Sequence, residues 1–324
     1  MTGVVETLQI PTIKRWWLLA VYTVIPLVLI LVGVDIFFLD QTLQPYLTTH
    51  ALAFPLIVLL FELPHIIASL VTFADKEYVQ FYRRHLTREL PLKIAVFGVL
   101  FYISFPAGVV AYIFYTMYHC ARQQTGLALT MTRQRDVWHE VWTYVLVFGT
   151  FVGYMLIFAK TLLPRAYETF GETVLVPLSI LLVLLTAFIV YRAPKGIARW
   201  YTCAVGAASI TSFLFLLLNY LFLAAFILRF IHDVTAFIVY IFHDRSRNQT
   251  DVHNILYKPF VRLGVPVLLA TPLVAIIIAY MLRTELMFIK VGVVAIMLIG
   301  IMHYSLEGVM WKRQSIHRGQ LRFE

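Results

Sequence analysis

Five histidines stand inside stretches that are otherwise apolar, and several have a carboxylate one helical turn away. His65 follows Glu62 at i, i+3 in "FELPHIIASL", and His303 precedes Glu307 at i, i+4 in "IMHYSLEGVMWKR". On a helix either spacing puts both side chains on one face. A carboxylate and an imidazole so placed aim at one point, as in carboxylate-bridged iron sites built on helices. His119, in "YHCARQQTG", has Gln123 one turn on. In "RFIHDVTAFIVYIFHDRSRN" a His-Asp pair occurs twice, His232-Asp233 and His243-Asp244, eleven residues apart and so near three full turns.

Ionisable groups within membrane spans cost several kcal/mol unless they are paired or face a site. Mutual hydrogen bonding could explain any one of these residues. A bound metal accounts for more of them together: His65, His119, His232 and His303 as ligands, with His243 as a further candidate nearer the surface. Glu62 and Glu307 are candidate ligands or bases. Asp233, Asp244 and Gln123 are candidates to orient imidazoles through the second ring nitrogen. Histidine and carboxylate donors without cysteine favour non-haem iron, with zinc or manganese as alternatives. The other histidines have simpler explanations. His50, His85, His253 and His317 fall in loops or at helix ends, where solvated or headgroup-facing roles are expected. His139, beside Trp138 and Trp142, fits an interfacial aromatic belt.

The elements that must carry these groups follow from composition. The chain has 324 residues, 61% hydrophobic and 13% charged. Soluble domains run near 45–50% apolar and about 25% charged, so the expected fold is an all-α integral membrane protein forming a single polytopic domain over 1–324. The +9 net charge belongs to basic loops rather than to nucleic-acid binding. Cys120 and Cys203 have neither metal-site nor disulfide spacing. The first apolar run, Leu18 to Phe38, is too long for a cleaved leader.

Hydropathy places spans at 16–39, 47–73, 140–163, 172–191, 261–282 and 287–311. The stretch 201–243 is too long for one crossing and should break near Asn219-Tyr220. The stretch 93–121 should split at Phe105-Pro106-Ala107-Gly108 into two short helices, the second closed by His119. This gives about ten spans, eight at the fewest, with both ends (1–15 and 312–324) cytoplasmic. In that arrangement the inside loops hold 21 of the 26 Lys and Arg, as the positive-inside rule requires. His65, His232 and His303 then lie about 12–17 Å inside the cytoplasmic boundary at 1.5 Å per residue, and the protein is expected to be multi-pass in the cell (inner) membrane.

The positions of "ELPHIIASL", "YHCARQQ", "RFIHDVTAF" and "MHYSLEGVMWKRQSIH" together resemble the bacterio-opsin-related membrane oxygenases, which cleave β-carotene to retinal. That resemblance implies iron held by histidines distributed over several spans, here His65, His119, His232 and His303. The expected function is a membrane-bound non-haem iron oxygenase acting on an apolar lipid, isoprenoid or carotenoid-like substrate among membrane lipids. An electron donor would be a separate partner, and a dioxygenase would need none. From another class, a proton- or metal-coupled transporter could use the same His, Asp and Glu groups. It should need polar residues reaching both faces, and the outer halves of these spans offer little beyond Asp35 and Asn219. Ligation of a b-type haem by two histidines would leave the carboxylates unexplained.

Overall fold

The chain's polar punctuation sets where its helices begin and end in the computed structural model, which describes residues 11–47, 63–159, 164–286, 290–312 and 314–324. After a two-residue strand, β1 (Thr12–Ile13), helix α1 (Arg15–Phe38) runs on through one tightened turn. Helix α2 (Leu63–Val71) ends in a 3-10 turn, and Asp75 caps the short α3 (Lys76–Phe81) by accepting the Glu77 N–H at 2.9 Å. A π-turn (His85–Glu89) leads into α4 (Leu90–Ile103).

The 93–121 stretch does split, at Ser104. That residue is extended (φ −150°, ψ 102°), and its hydroxyl accepts the Ala107 N–H to start α5 (Phe105–Thr132), with Pro106 in the first turn. The second member of the pair is not short, however. Helix α5 has 28 residues and passes His119 at mid-length. Ala, Gln and Leu keep helix propensity high after His119, and polarity there marks a wall facing protein rather than an end. The helix stops where Arg133 turns left-handed (φ 57°).

Asp136 then caps α6 (Val137–Phe158) at the His139 N–H, followed by α7 (Arg165–Arg192) and α8 (Ile197–Leu217). The expected break at 219–220 is a Schellman turn. Asn219 takes φ 62°, its N–H reaches the Leu216 carbonyl, and the Tyr220 N–H reaches Phe215. Helix α9 (Leu221–Arg247) follows. The span expected at 261–282 starts later, because Gly264 (φ 83°) and Pro266 separate a short α10 (Lys258–Arg262) from α11 (Val267–Leu286). The chain closes with α12 (Lys290–Met310), α13 (Ile316–Gly319) and β2 (Arg322–Phe323).

Among the described residues six helices are long and apolar enough to cross a membrane: α1, α6, α7, α8, α9 and the Val291–Met310 part of α12. The loops sort into two sets that keep apart. β1 pairs in parallel with β2, so the two described ends lie side by side. On the same side Arg247 binds Asp75 and Glu77 at 2.7 Å each, Ser246 meets Gln320, and Arg192 reaches Asp136. At the other set, Gln44 donates to the Leu218 carbonyl, the Phe222 N–H to Leu47, and the Tyr220 hydroxyl to buried Asp35. Asp35 also accepts the Leu43 N–H at 2.8 Å, so it fastens this loop cluster.

Candidate metal centre

Four helices deliver one imidazole each to a common interior point. The rings of His65 (α2) and His119 (α5) each make edge contacts with both His232 (α9) and His303 (α12), at centroid separations of 5.0, 4.9, 5.0 and 5.1 Å. His65, His232 and His303 are fully shielded and His119 is 9% exposed, so the rings turn into the bundle and not toward acyl chains. Two donor sets have ligand atoms within 4.8 Å of one another: His65, His232 and His303; and His119, His303 and Glu307. Three atoms mutually within 4.8 Å all lie within about 2.8 Å of a common point, against metal–nitrogen bonds of about 2.1 Å, so an inward shift of less than about 1 Å per ligand brings either set to bonding distance.

The hydrogen bonds select which nitrogen faces inward. Ser69 Oγ lies 2.7 Å from both the Ile66 carbonyl and His303 Nδ1. With its proton on the carbonyl it accepts from Nδ1, and that tautomer leaves the His303 lone pair on Nε2. Asp233 stands beside His65: its carboxylate oxygen lies 3.1 Å from Nδ1, an ion-pair contact outside hydrogen-bond geometry, and the negative charge there favours a proton on that nitrogen. Metal-ligating histidines are held in this way, by an acceptor on the far nitrogen. Among the described residues His232 has no hydrogen-bond partner on either ring nitrogen, and the same holds for His303 Nε2. A buried polar atom left without a partner costs about 1–3 kcal/mol, and a metal removes that cost.

Charge points the same way. Glu307 is 4% exposed and meets the Tyr240 hydroxyl, Gln123 at 3.5 Å and His119 Nε2 at 3.2 Å. None of these is a fixed cation. Asp233 lies 3.9 Å from Arg229, whose guanidinium also approaches the Cys120 sulfur. Arg229 thus supplies a permanent positive charge beside Asp233, while the described partners of Glu307 are all uncharged or titratable. An uncompensated buried carboxylate is costly, and a divalent cation among these histidines would balance it.

The remaining sequence candidates fall elsewhere. Glu62 lies outside the described residues, as does His50. Gln123 contacts Glu307 and not an imidazole. His243 shares the helix face of His232, but eleven residues carry it about 16 Å along the axis. Its Nδ1 is held by Asp244 at 2.8 Å and its Nε2 by the Tyr78 hydroxyl at 2.9 Å. Asp244 orients His243, as expected of it, and also accepts from Tyr257 and Thr271. His243 stacks at 4.7 Å on His317, which bonds Tyr82 and Thr72. His317 is thus fully buried and His85 is 7% exposed, against the expectation of solvated positions. The C-terminal turn folds back over the loops and seals His317, and His85 sits in the π-turn against Ser305. His139 is buried, with Nε2 on the Thr125 carbonyl.

Three contributors were not singled out from sequence: Ser69, Tyr240 and Tyr304. Ser69 stands four residues after His65 and Tyr240 seven after Asp233, so each shares a face with a candidate ligand. A scan for hydroxyls at helical spacing from the histidines would have found them. Tyr304 packs its ring 4.6 Å from His119. A cavity of about 590 Å³ opens from the loop side onto this wall, lined by His119, Gln123, Tyr304 and Glu307 among others. No protein-family model matches the chain, and neither does any curated protein or solved structure.

Proposed function

We propose that this chain is an integral membrane metalloenzyme, a non-haem iron oxygenase acting on an apolar lipid or isoprenoid substrate. The observation that carries the reading is the convergence of four imidazoles from four helices, with Ser69 and Asp233 against the far nitrogens of two. All-nitrogen and carboxylate donors suit iron, and zinc or manganese would accept the same set. Bound iron would supply the dioxygen chemistry that side chains lack. The residues' own work is to hold the ligand tautomers, keep bulk water from the rings, and carry a proton at Glu307, which Tyr240 and His119 flank. The resemblance of the four histidine segments to bacterio-opsin-related oxygenases favours the same chemistry.

The topology that goes with this reading has ten crossings in the cell membrane and both ends in the cytoplasm. The β1–β2 pairing of the two described ends supports an even number of crossings, and the sequence's charge distribution supports a cytoplasmic side for them. Asp35, occupied by Leu43 and Tyr220, tethers a loop instead of standing free in the opposite half of the bundle. That favours an enzyme over a transporter.

Elemental analysis of protein purified without chelators tests the proposal. At least one equivalent of iron is expected in the wild type, with most of it lost in His65→Ala and His303→Ala. Incorporation of ¹⁸O from labelled dioxygen into membrane lipids would establish the oxygenase step. Folded wild-type protein that binds no transition metal refutes the reading.

A further inference from the structure

The cavity that reaches His119 and Glu307 has a positively charged mouth. Lys93, Arg122, Lys312 and Arg318 all line it. Arg122 is neutralised by Glu140 at 2.7 Å; Glu89 at the rim bonds His85 at 2.8 Å and keeps a negative charge one helical turn from Lys93, so the cations outnumber the acids at the mouth without standing alone there. Among the described residues Lys93, Lys312 and Arg318 have no carboxylate within ion-pair distance. Lys93 gives its ammonium proton to Ser305 Oγ at 2.9 Å, two residues from His303 on α12. Arg318 is held over the Phe323 ring, 4.9 Å from its centroid, and donates to the Leu321 carbonyl. These contacts position both cations without cancelling either charge.

Isolated lysines at a membrane surface ordinarily meet lipid phosphates from outside. This trio differs in lining an invagination whose inner wall is the candidate centre itself. Tyr115, Tyr304 and Trp311 supply apolar surface in the same cavity. A molecule filling it would need a charged end at the mouth and an apolar body toward the histidines.

We infer that the ligand of this site is an anionic amphiphile, a long-chain carboxylate or phosphate monoester whose head group is held by Lys93, Lys312 and Arg318. This deepens the proposed function and rests on the histidine cluster being the centre the cavity serves. Charge-assisted hydrogen bonds from Lys and Arg to such a head group are the strong kind, and they would fix how far the chain reaches inward.

Competition against a fluorescent long-chain fatty acid on the purified full-length protein tests this. Three competitors of equal chain length are compared: the free acid, the alkyl phosphate and the uncharged alcohol. At least one anion should bind tenfold or more tightly than the alcohol, and which anion does so separates a fatty-acid from a phospholipid-type head group. The advantage should fall severalfold or more in Lys93→Gln/Lys312→Gln, and also in Lys312→Glu, which alters an exposed side chain and leaves the fold intact. Alcohol binding as tight as both anions, or undiminished discrimination in the folded variants, would overturn the inference. Metal content read on the same samples separates the two proposals. Anion preference in metal-free protein would sustain this one and sink the metal reading; metal-replete protein without preference would do the reverse.

Discussion

Replacing Ser69 with alanine removes one hydroxyl that touches no metal ligand atom, yet it should weaken metal binding measurably. With the hydroxyl proton on the Ile66 carbonyl, the Ser69 lone pair receives the His303 Nδ1 proton. Without Ser69 that N–H is stranded at a site with no solvent exposure. The imidazole can then move its proton to Nε2, the nitrogen that must be bare to bind metal. Loss of such an outer partner typically costs 10–100-fold in affinity, or about 1.4–2.7 kcal/mol at 1.36 kcal/mol per factor of ten. The stranded group also takes about 1–3 kcal/mol from the metal-free fold.

The assay is chelator competition on detergent-purified protein, with thermal unfolding followed in parallel. Ser69→Thr keeps the acceptor and should restore most of the affinity, although its extra methyl strains a packed site. Thr202→Val removes a buried hydroxyl that bonds only the Ala198 carbonyl, far along another helix; it should leave affinity unchanged. Folded Ser69→Ala protein with wild-type affinity would refute the tautomer argument, even if the metal itself is present.

Two further outcomes concern the scaffold. Asn219 is exposed and left-handed at φ 62°. Asn219→Ala should cost about 1 kcal/mol in denaturant unfolding, and Asn219→Gly should be nearly neutral. His317, in the C-terminal turn, is held well below the usual histidine range by burial, then by His243 and Arg247. As pH falls through about 6.5 the unfolded chain gains the proton first, so stability is complete above that pH and declines below it toward the folded-state value. The unfolding temperature should therefore drop between pH 7.5 and 5.5, and the drop should shrink in His317→Gln; an unchanged drop in that variant would be contrary to the reading.

Much of this layout was legible in the sequence, and the reasons are local. Hydropathy marked the long apolar helices because lipid demands uninterrupted apolar runs with satisfied backbone. The breaks at Ser104 and Asn219 were legible because short polar residues compete for backbone groups and tolerate unusual φ. Helix α5 was misjudged at its far end because Arg122 and Gln123 look like a boundary when only hydropathy is counted. In the structure they line a cavity inside the protein, where polarity does not end a helix. The start of α11 was misplaced for the converse reason: the window over 261–266 was apolar enough to hide the Gly264 and Pro266 stop.

The histidines show where local information ends. Residue type and helical spacing identified His65, His119, His232, His243 and His303 as capable of ligation, since imidazole is costly in lipid without a task. Spacing alone treated His232 and His243 alike, for they share a helix face. Only packing separates them: four helices cross at the level of His232, whereas His243, three turns on, meets Tyr78, Asp244 and His317. The sequence by itself determined the apolar helical character and the supply of candidate ligands, because both are properties of short windows. Which rings meet, and which nitrogen each turns inward, was decided by tertiary structure, because a hydroxyl such as Ser69 acts on His303 across 234 residues of chain.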